Sequence, residues 1–397
     1  MNKYYDKVVA FIDDHRDEMI DKWKFMVNME DYFADVEDTA KVRNWFQIEL
    51  EELGFKCTTY DDLAPGYTGP IVGILGEDRP GKPIIFAGHL DTVQPKGSFG
   101  DMPFKIEDGK AYGPGVLDMK GGLIIALYVV KALNELEYKD HPIKFVVAAE
   151  EESSHTEEEN KVTQFFIDQS KGGLCAFDME TGHISNSLCT GRKSKYEWFV
   201  KVHGIPGHSG NEFEKGRNAI HEAAIKINEI SKLTDLSKGT TVNTSMIKAG
   251  TPEMICAIPE ECEFIFETRF TSSEEQARVA EEIKKILATN YIDGTTTEYH
   301  QNKPQFMAFH PTEPIMKFLD FLNGVAKDNG FPEFGSIQLG GSSDSGAIAA
   351  SGIPVLCSCG VRGQFNHSMN EYAVVESMFE RAKIYTLAVL EAPDEIA

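Results

Sequence analysis

The chain has 397 residues, of which 42% are hydrophobic, and a formal net charge of −24 at pH 7. This length exceeds that of a typical single domain and supplies apolar residues for more than one hydrophobic core. The acidic balance argues against nucleic acid or an anionic membrane as a partner.

The N-terminal segment is charged throughout, and no stretch approaches the 18 uncharged apolar residues that a membrane-spanning helix needs. These features predict a soluble, cytoplasmic protein. The seven cysteines are odd in number, and most of them lie in apolar runs. This usage indicates buried free thiols rather than a disulfide framework.

Helices and strands alternate in the first part of the chain. The spacing of apolar residues predicts helices over about 3–26 and 38–53, three strands between 55 and 88, a long helix over 120–136 and a strand over 143–149. This order is typical of an α/β fold with a mixed, largely parallel sheet flanked by helices.

A second pattern begins after Gly191. Strands and helices over 192–306 follow the order strand, helix, strand, strand, helix, strand. This order is typical of an α+β, ferredoxin-like domain, and it interrupts the first pattern. We therefore predict an inserted domain over 192–306 and a catalytic domain assembled from 1–191 and 307–397.

Acidic residues and histidines stand where predicted strands end or loops lead into helices. The candidates are His89 and Asp91, Asp118, the triplet Glu150-Glu151-Glu152 with its acidic extension to Asn160, Asp178 and Glu180, and His367. Sheets of this class place their sites at the carboxyl ends of strands, so we expect these side chains to converge. In the triplet, adjacent carboxylates point to opposite sides, so one can bind metal while its neighbour acts as a base.

Three carboxylates and two histidines exceed the ligands of one tetrahedral zinc ion. The number favours two divalent ions that share a carboxylate and activate a bridging water for hydrolysis. The sequence therefore predicts a dinuclear metal-dependent hydrolase.

Several motifs occur in a specific order along the chain, namely HLDTV, GPGVLDMKGG, EEE, VHGIPGHSG, ETRF, GGSSDSG and NHSMNEY. Together they resemble the dinuclear zinc exopeptidase and deacylase family, peptidase family M20, over nearly the whole chain. The resemblance implies cleavage of an amide bond next to a free α-carboxylate, in a small peptide or an N-acyl amino acid.

The resemblance also implies a role for each candidate. The metal ligands would be His89 and Glu180 for one ion, Glu152 and His367 for the other, and Asp118 between them. Glu151 would be the general base and acid, and Asp91 would orient His89. The two ions would be zinc, with cobalt or manganese as alternatives.

For the inserted domain, the resemblance implies a lid through which two copies form a homodimer. His208 would reach the active site of the other copy and polarise the scissile carbonyl. Asn243 would lie near the substrate, Arg269 would grip the substrate carboxylate, and Gly340 and Gly341 would line the pocket.

The chain departs from the family pattern at four points. Met119 replaces an acidic residue, and Cys256 stands near the place of an expected asparagine. Ser153-Ser154-His155 replaces the usual Gly-Ser, which leaves open a shift of the acidic triplet by one residue. Asp178 remains an alternative to Glu180 as a ligand.

Two other function classes compete with this interpretation. A serine hydrolase would need Gly-x-Ser-x-Gly, and the segment from Gly341 to Ser345 lacks the final glycine. A catalytically inactive small-molecule or peptide-binding protein on the same fold would have lost ligands or the base. Because the sequence retains all of them, an enzyme is favoured.

Overall fold

The computed structural model of the chain describes residues 2–101, 103–155, 161–302 and 306–396. It divides into two compact units. The first unit comprises the described residues within Met1–Gly191, Pro311–Leu339 and Ser343–Ala397, and the second those within Arg192–His310 and Gly340–Ser342. Residues 156–160 of the acidic extension lie outside the described residues.

The helices are α1 (Tyr5–Asp14), α2 (Arg16–Asn28), α3 (Val36–Glu52), α4 (Gly121–Glu135), α5 (Lys161–Ser170), α6 (Ala219–Ser231), α7 (Ser273–Ala288), α8 (Glu313–Asp328), α9 (Ser345–Ala350) and α10 (Val375–Leu390). The longer strands are β1 (Lys56–Thr59), β2 (Ile71–Leu75), β3 (Ile84–His89), β6 (Ile143–Ala148), β7 (Cys175–Asp178), β9 (Ser187–Arg192), β10 (Ser194–His203), β12 (Thr241–Ala249), β14 (Glu261–Phe270), β15 (Thr296–Gln301) and β16 (Gly335–Leu339). The short strands are β4 (Lys105–Glu107), β5 (Lys110–Tyr112), β8 (Gly182–His183), β11 (Gly207–His208), β13 (Ala257–Ile258), β17 (Val355–Leu356), β18 (Arg362–Gln364) and β19 (Tyr372–Val374).

A six-stranded sheet in the order β1-β2-β6-β3-β7-β17 forms the centre of the first unit. The adjacent strands β6, β3, β7 and β17 are parallel to one another. Strand β2 pairs antiparallel with both β6 and β1. All six residues of β3 are buried, as expected for a strand covered on both faces. Helix α4 packs against β3, and α5 packs against β6. The predicted mixed, largely parallel sheet with flanking helices is confirmed.

The single N-terminal helix expected over about 3–26 is two helices, α1 and α2. The chain leaves helical geometry at His15, where φ is −103° and ψ is 8°. Nδ1 of His15 lies 2.7 Å from the carbonyl oxygen of Phe11, so the side chain occupies an acceptor at the end of α1.

The second unit contains a four-stranded antiparallel sheet in the order β12-β14-β10-β15. Every second residue of β14 is buried, and these side chains form a core with those of α6 and α7. The alternate residues of β14 therefore lie on the opposite, open face of the sheet. Among the described residues, no helix is long and apolar enough to span a membrane.

Candidate metal centre

The candidate metal centre lies at one edge of the six-stranded sheet. His89 of β3 pairs with Ala148 of β6, and Ala87 of β3 pairs with Asp178 of β7. These three parallel strands end side by side, so the residues that follow them leave the sheet at the same edge. The register thereby brings candidate ligands from separate parts of the chain together.

The first group of possible ligands comprises His89, Asp118 and Glu180, which are all buried. Nε2 of His89 lies 3.3 Å from Oδ1 of Asp118 and 3.6 Å from Oε1 of Glu180. One ligand atom from each residue lies within 4.8 Å of the other two. Metal–ligand distances of about 2 Å require donor atoms this close together.

The second group comprises Asp118, Glu152 and His367. Nε2 of His367 lies 3.2 Å from Oδ2 of Asp118 and 3.1 Å from Oε1 of Glu152. Asp118 therefore belongs to both groups and turns one oxygen toward each. A carboxylate in this position is suited to bridge two ions about 3.5–4 Å apart.

Two residues that sequence reasoning missed hold Asp118 in place. Nδ2 of Asn366 donates a hydrogen bond to Oδ2 of Asp118 at 2.8 Å. The buried carboxylate of Glu371 accepts the backbone N–H groups of Leu117 and Asp118 at 2.9 and 3.1 Å. Both residues belong to the NHSMNEY segment that supplies His367, and this concentration of polar residues was the available signal.

Met119 occupies the position where an acidic residue was expected. Its side chain is fully buried, and its sulfur accepts a hydrogen bond from the backbone N–H of His89 at 3.0 Å. Gly88 permits this contact, because a β-carbon there would lie 2.3 Å from the terminal methyl carbon of Met119. The peptide bond between Asp118 and Met119 is cis. The departure at Met119 therefore removes none of the candidate ligands.

Asp91 connects the end of β3 with the acidic turn that follows β6. Its fully buried carboxylate accepts the backbone N–H of Glu151 with Oδ1 at 3.0 Å and that of Glu152 with Oδ2 at 2.9 Å. Nδ1 of His89 lies 3.1 Å from the backbone oxygen of Asp91 and 3.5 Å from its Oδ1. A proton on Nδ1 leaves Nε2 of His89 as the ligand atom.

The acidic triplet turns its three carboxylates in different directions. Glu152 meets His367, and atoms of Glu151, Glu152 and His89 lie within 4.8 Å of one another. The carboxylate of Glu150 instead lies against His155 and Ser153, at 2.5 and 2.6 Å. The structure thus brings Glu151 and Glu152, rather than Glu150, to the other candidates.

Asp178 and Glu180 also face different partners. The side chain of Asp178 accepts a hydrogen bond from the hydroxyl of Ser345. Glu180 is the member of this pair that lies beside His89.

Ser343 and Ser345 are fully buried, which does not suit a serine nucleophile.

The centre concentrates negative charge in a buried volume. Burial, together with nearby carboxylates, raises the pKa of Glu151 well above its usual range. Burial and Asp118 raise the pKa of Glu152 to about 7. Hydrogen bonds with Asp118 and Glu152 raise the pKa of His367 to about 11. Such a cluster is stabilised when cations compensate its charge, and its oxygen and nitrogen donors suit zinc, cobalt or manganese.

In the second unit, His208 ends β11 and is exposed. Its Nδ1 accepts the backbone N–H groups of Gly210 and Asn211 at 3.1 and 3.2 Å. In a neutral ring the proton must then reside on Nε2, which can act as a hydrogen-bond donor. Cys256 lies next to this loop, because its carbonyl oxygen accepts the backbone N–H of Ser209 at 2.8 Å, and its thiol is free.

Arg269 lies on the open face of the four-stranded sheet, where its guanidinium is already paired. Nε and Nη2 lie 3.2 Å from the two carboxylate oxygens of Glu267. Nη1 donates to the carbonyl oxygen of Gly340 at 2.9 Å. Asn243 is exposed and opposite Glu267 in the pairing of β12 with β14. Gly341 is exposed as well, next to the guanidinium of Arg192.

Comparison with known protein families identifies one match. The family model described as peptidase family M20/M25/M40 matches residues 85–391. These residues include every candidate ligand as well as all of the second unit.

Individual proteins resemble the chain over most of its length. Carboxypeptidase G2 of Pseudomonas sp. (strain RS-16) is 27% identical over 363 residues, which cover 86% of this chain and 81% of that protein. Succinyl-diaminopimelate desuccinylase of Rickettsia rickettsii (strain Sheila Smith) is 24% identical over 365 residues, which cover 86% and 92%. The crystal structure of aminopeptidase PepT from Bacillus cereus ATCC 10987 superposes with a TM-score of 0.80 and 19% identity, covering 94% of this chain and 98% of that one.

Proposed function

Because the chain belongs to peptidase family M20/M25/M40, we propose that it is a metal-dependent hydrolase that cleaves an amide bond next to a free α-carboxylate. Its substrates would be small peptides or N-acyl amino acids. The observation that carries the proposal is the position of Asp118, which turns one oxygen toward His89 and the other toward His367. This arrangement supports a centre of two ions.

We assign the ligands accordingly. His89 and Glu180 would hold one ion, Glu152 and His367 the other, and Asp118 would bridge them. The donor set suits zinc, and cobalt or manganese can replace it. When bound, the two ions would lower the pKa of a water molecule to about 7 and polarise the scissile carbonyl.

Glu151 is the residue best suited to move the proton. It would accept a proton from the attacking water and pass it to the nitrogen of the leaving amine. The position of its buried carboxylate supports this role, because one of its oxygens lies within 4.8 Å of ligand atoms of His89 and Glu152. Asp91 would keep Glu151 and Glu152 in place through their backbone N–H groups.

The residues of the second unit would recognise the substrate. The planar fork of Arg269 would bind the substrate α-carboxylate in place of Glu267. Asn243, Gly340 and Gly341 would line the pocket. The name of one relative, a carboxypeptidase, is consistent with a substrate that carries a free carboxylate.

We further propose that the protein acts as a homodimer. Nε2–H of His208 would donate a hydrogen bond to the carbonyl of a substrate bound by the other copy. The donor role of Nε2 is supported by the pair of backbone N–H groups that occupy Nδ1 and direct the proton to Nε2. A donor at the developing oxyanion stabilises the transition state.

The test is hydrolysis of a panel of dipeptides and N-acyl amino acids, each as the free acid and as the C-terminal amide, with zinc, cobalt or manganese supplied. We expect turnover of the free acids. For the amides, kcat/KM should be about 30- to 1,000-fold lower, because the guanidinium of Arg269 would lack the carboxylate that it binds. Equal turnover of acids and amides would overturn the proposed substrate class.

A further inference from the structure

A buried hydrogen-bonded chain lies beside the acidic turn and has no part in the proposed reaction. Nδ1 of His155 lies 2.5 Å from Oε1 of Glu150, and Nε2 lies 2.8 Å from Oδ1 of Asp344. His155 is fully buried, Glu150 is 1% exposed and Asp344 4%. We call these three residues the His155 bridge.

The bridge places one buried imidazole ring between two buried carboxylates. An ionised carboxylate only accepts hydrogen bonds, so a ring that meets a carboxylate at each nitrogen donates from both and is positively charged. Burial opposes this charge, but Glu150 and Asp344 outweigh it and hold the pKa of His155 well above its ordinary value. Removal of the ring would leave two buried carboxylates without their common partner, which is strongly unfavourable.

The bridge ties the acidic turn to a separate part of the first unit. Glu150 follows β6 and immediately precedes Glu151 and Glu152, whereas Asp344 immediately precedes α9. Within the turn, the hydroxyl of Ser153 donates a hydrogen bond to Oε2 of Glu150 at 2.6 Å. The turn is therefore held from one side by the bridge and from the other side by Asp91.

We propose that His155 is a positioning residue for Glu151: it binds Glu150 with one ring nitrogen and Asp344 with the other, and so fixes the turn that presents Glu151 and Glu152. The effect on rate rests on the proposed function, in which Glu151 moves the proton. A displacement of a catalytic group by about 1 Å can cost about 10²-fold in rate. The fixing of the turn is a property of the protein that can be measured without substrate.

The test uses the full chain with His155→Gln. We expect kcat to fall about 10- to 100-fold while KM changes less than about threefold, because the turn and not the substrate pocket is disturbed. Hydrogen exchange of the amides over 150–155, followed by mass spectrometry in the metal-free protein, should become faster.

The matched control is His141→Gln. His141 is also buried, its Nδ1 lies 2.9 Å from the carbonyl oxygen of Lys82, and it precedes the opposite end of β6. This variant should lower the melting temperature without changing kcat or the exchange of 150–155. An equal loss of kcat in both variants would overturn the proposal, since the loss would then follow stability alone.

Asp344→Asn is the second variant, because it keeps the shape and one acceptor of the bridge. We expect it to fold, to lower kcat and to speed the exchange of 150–155, with both effects smaller than in His155→Gln. A wild-type kcat and unchanged exchange in folded His155→Gln would contradict the proposal, and so would failure of both bridge variants to fold. If the wild-type enzyme hydrolyses none of the panel, the proposed function fails, while the exchange measurement still decides on the bridge.

Discussion

Asp91 and Glu151 are joined by a hydrogen bond, in which the backbone N–H of Glu151 donates to Oδ1 of Asp91 at 3.0 Å. The same carboxylate accepts the N–H of Glu152, and the backbone oxygen of Asp91 faces the ring of His89. One residue thus positions a candidate ligand and the candidate base together.

Replacement of Asp91 by alanine should therefore affect both parts of the centre. We expect metal affinity to fall about 10- to 100-fold, because the orientation of His89 and Glu152 is lost. Equilibrium dialysis of the metal measures this effect. Asp91→Asn retains one acceptor oxygen and should lose less. Equal metal affinity in wild type and Asp91→Ala would show that this carboxylate does not position the ligands.

Glu151→Gln preserves the shape of the candidate base but cannot take up a proton. Turnover should fall by about 10² to 10⁴ while the metal content stays at the wild-type level. Glu152→Gln is the matched variant and should lose metal, because Glu152 contacts His367 in the second ligand group. The reverse pattern, with metal lost in Glu151→Gln and kept in Glu152→Gln, would require the assignments of these residues to be exchanged.

Mixing two inactive variants tests the role of His208 in the homodimer. His208→Ala and Glu151→Gln each damage a different part of the proposed site. If His208 acts on the other copy, a mixed dimer contains one intact site, and an equal mixture should recover up to about one quarter of wild-type activity. Native mass spectrometry, which separates the mixed dimer from the two parent dimers by mass, would verify that subunits have exchanged. No recovery after exchange, or full activity of a monomer, would refute action between copies.

Arg269, the proposed clamp for the substrate carboxylate, pairs with Glu267. The clamp can therefore be tested by substitution of either residue. Arg269→Ala should cost the free-acid substrate about 30- to 1,000-fold in kcat/KM and should affect the amide little. Glu267→Gln removes the internal competitor, so KM for the free acid should fall. If Arg269→Ala reduces turnover of acid and amide alike, Arg269 is not a carboxylate clamp.

The fold class could be predicted because its signals are local. The apolar run of β3 and the nearly continuous apolar side chains of α4 indicate buried elements without knowledge of their neighbours. The five-stranded sheet β4-β5-β19-β18-β8 was not predicted, because strands of two or three residues have no measurable periodicity.

The residues that support the candidate site lay beyond sequence reasoning for a different reason. His155 and Glu371 act through partners that are distant along the chain, Asp344 and Leu117. Most side-chain hydrogen bonds go to backbone groups or to water, so a single polar residue in a loop is not by itself a sign of a site. The sequence marks Glu371 only as part of a polar segment, and the tertiary structure is needed to assign a partner to either residue.

The central claim, a centre of two ions that share Asp118, is tested most directly by metal stoichiometry. The protein is stripped with 1,10-phenanthroline, zinc or manganese is titrated back, and bound metal is measured by elemental analysis together with dipeptide hydrolysis. We predict loss of hydrolysis on stripping, two ions per chain at saturation, and recovery of hydrolysis in step with metal binding. Full hydrolysis by the stripped protein, or saturation at a single ion with full activity, would contradict the account.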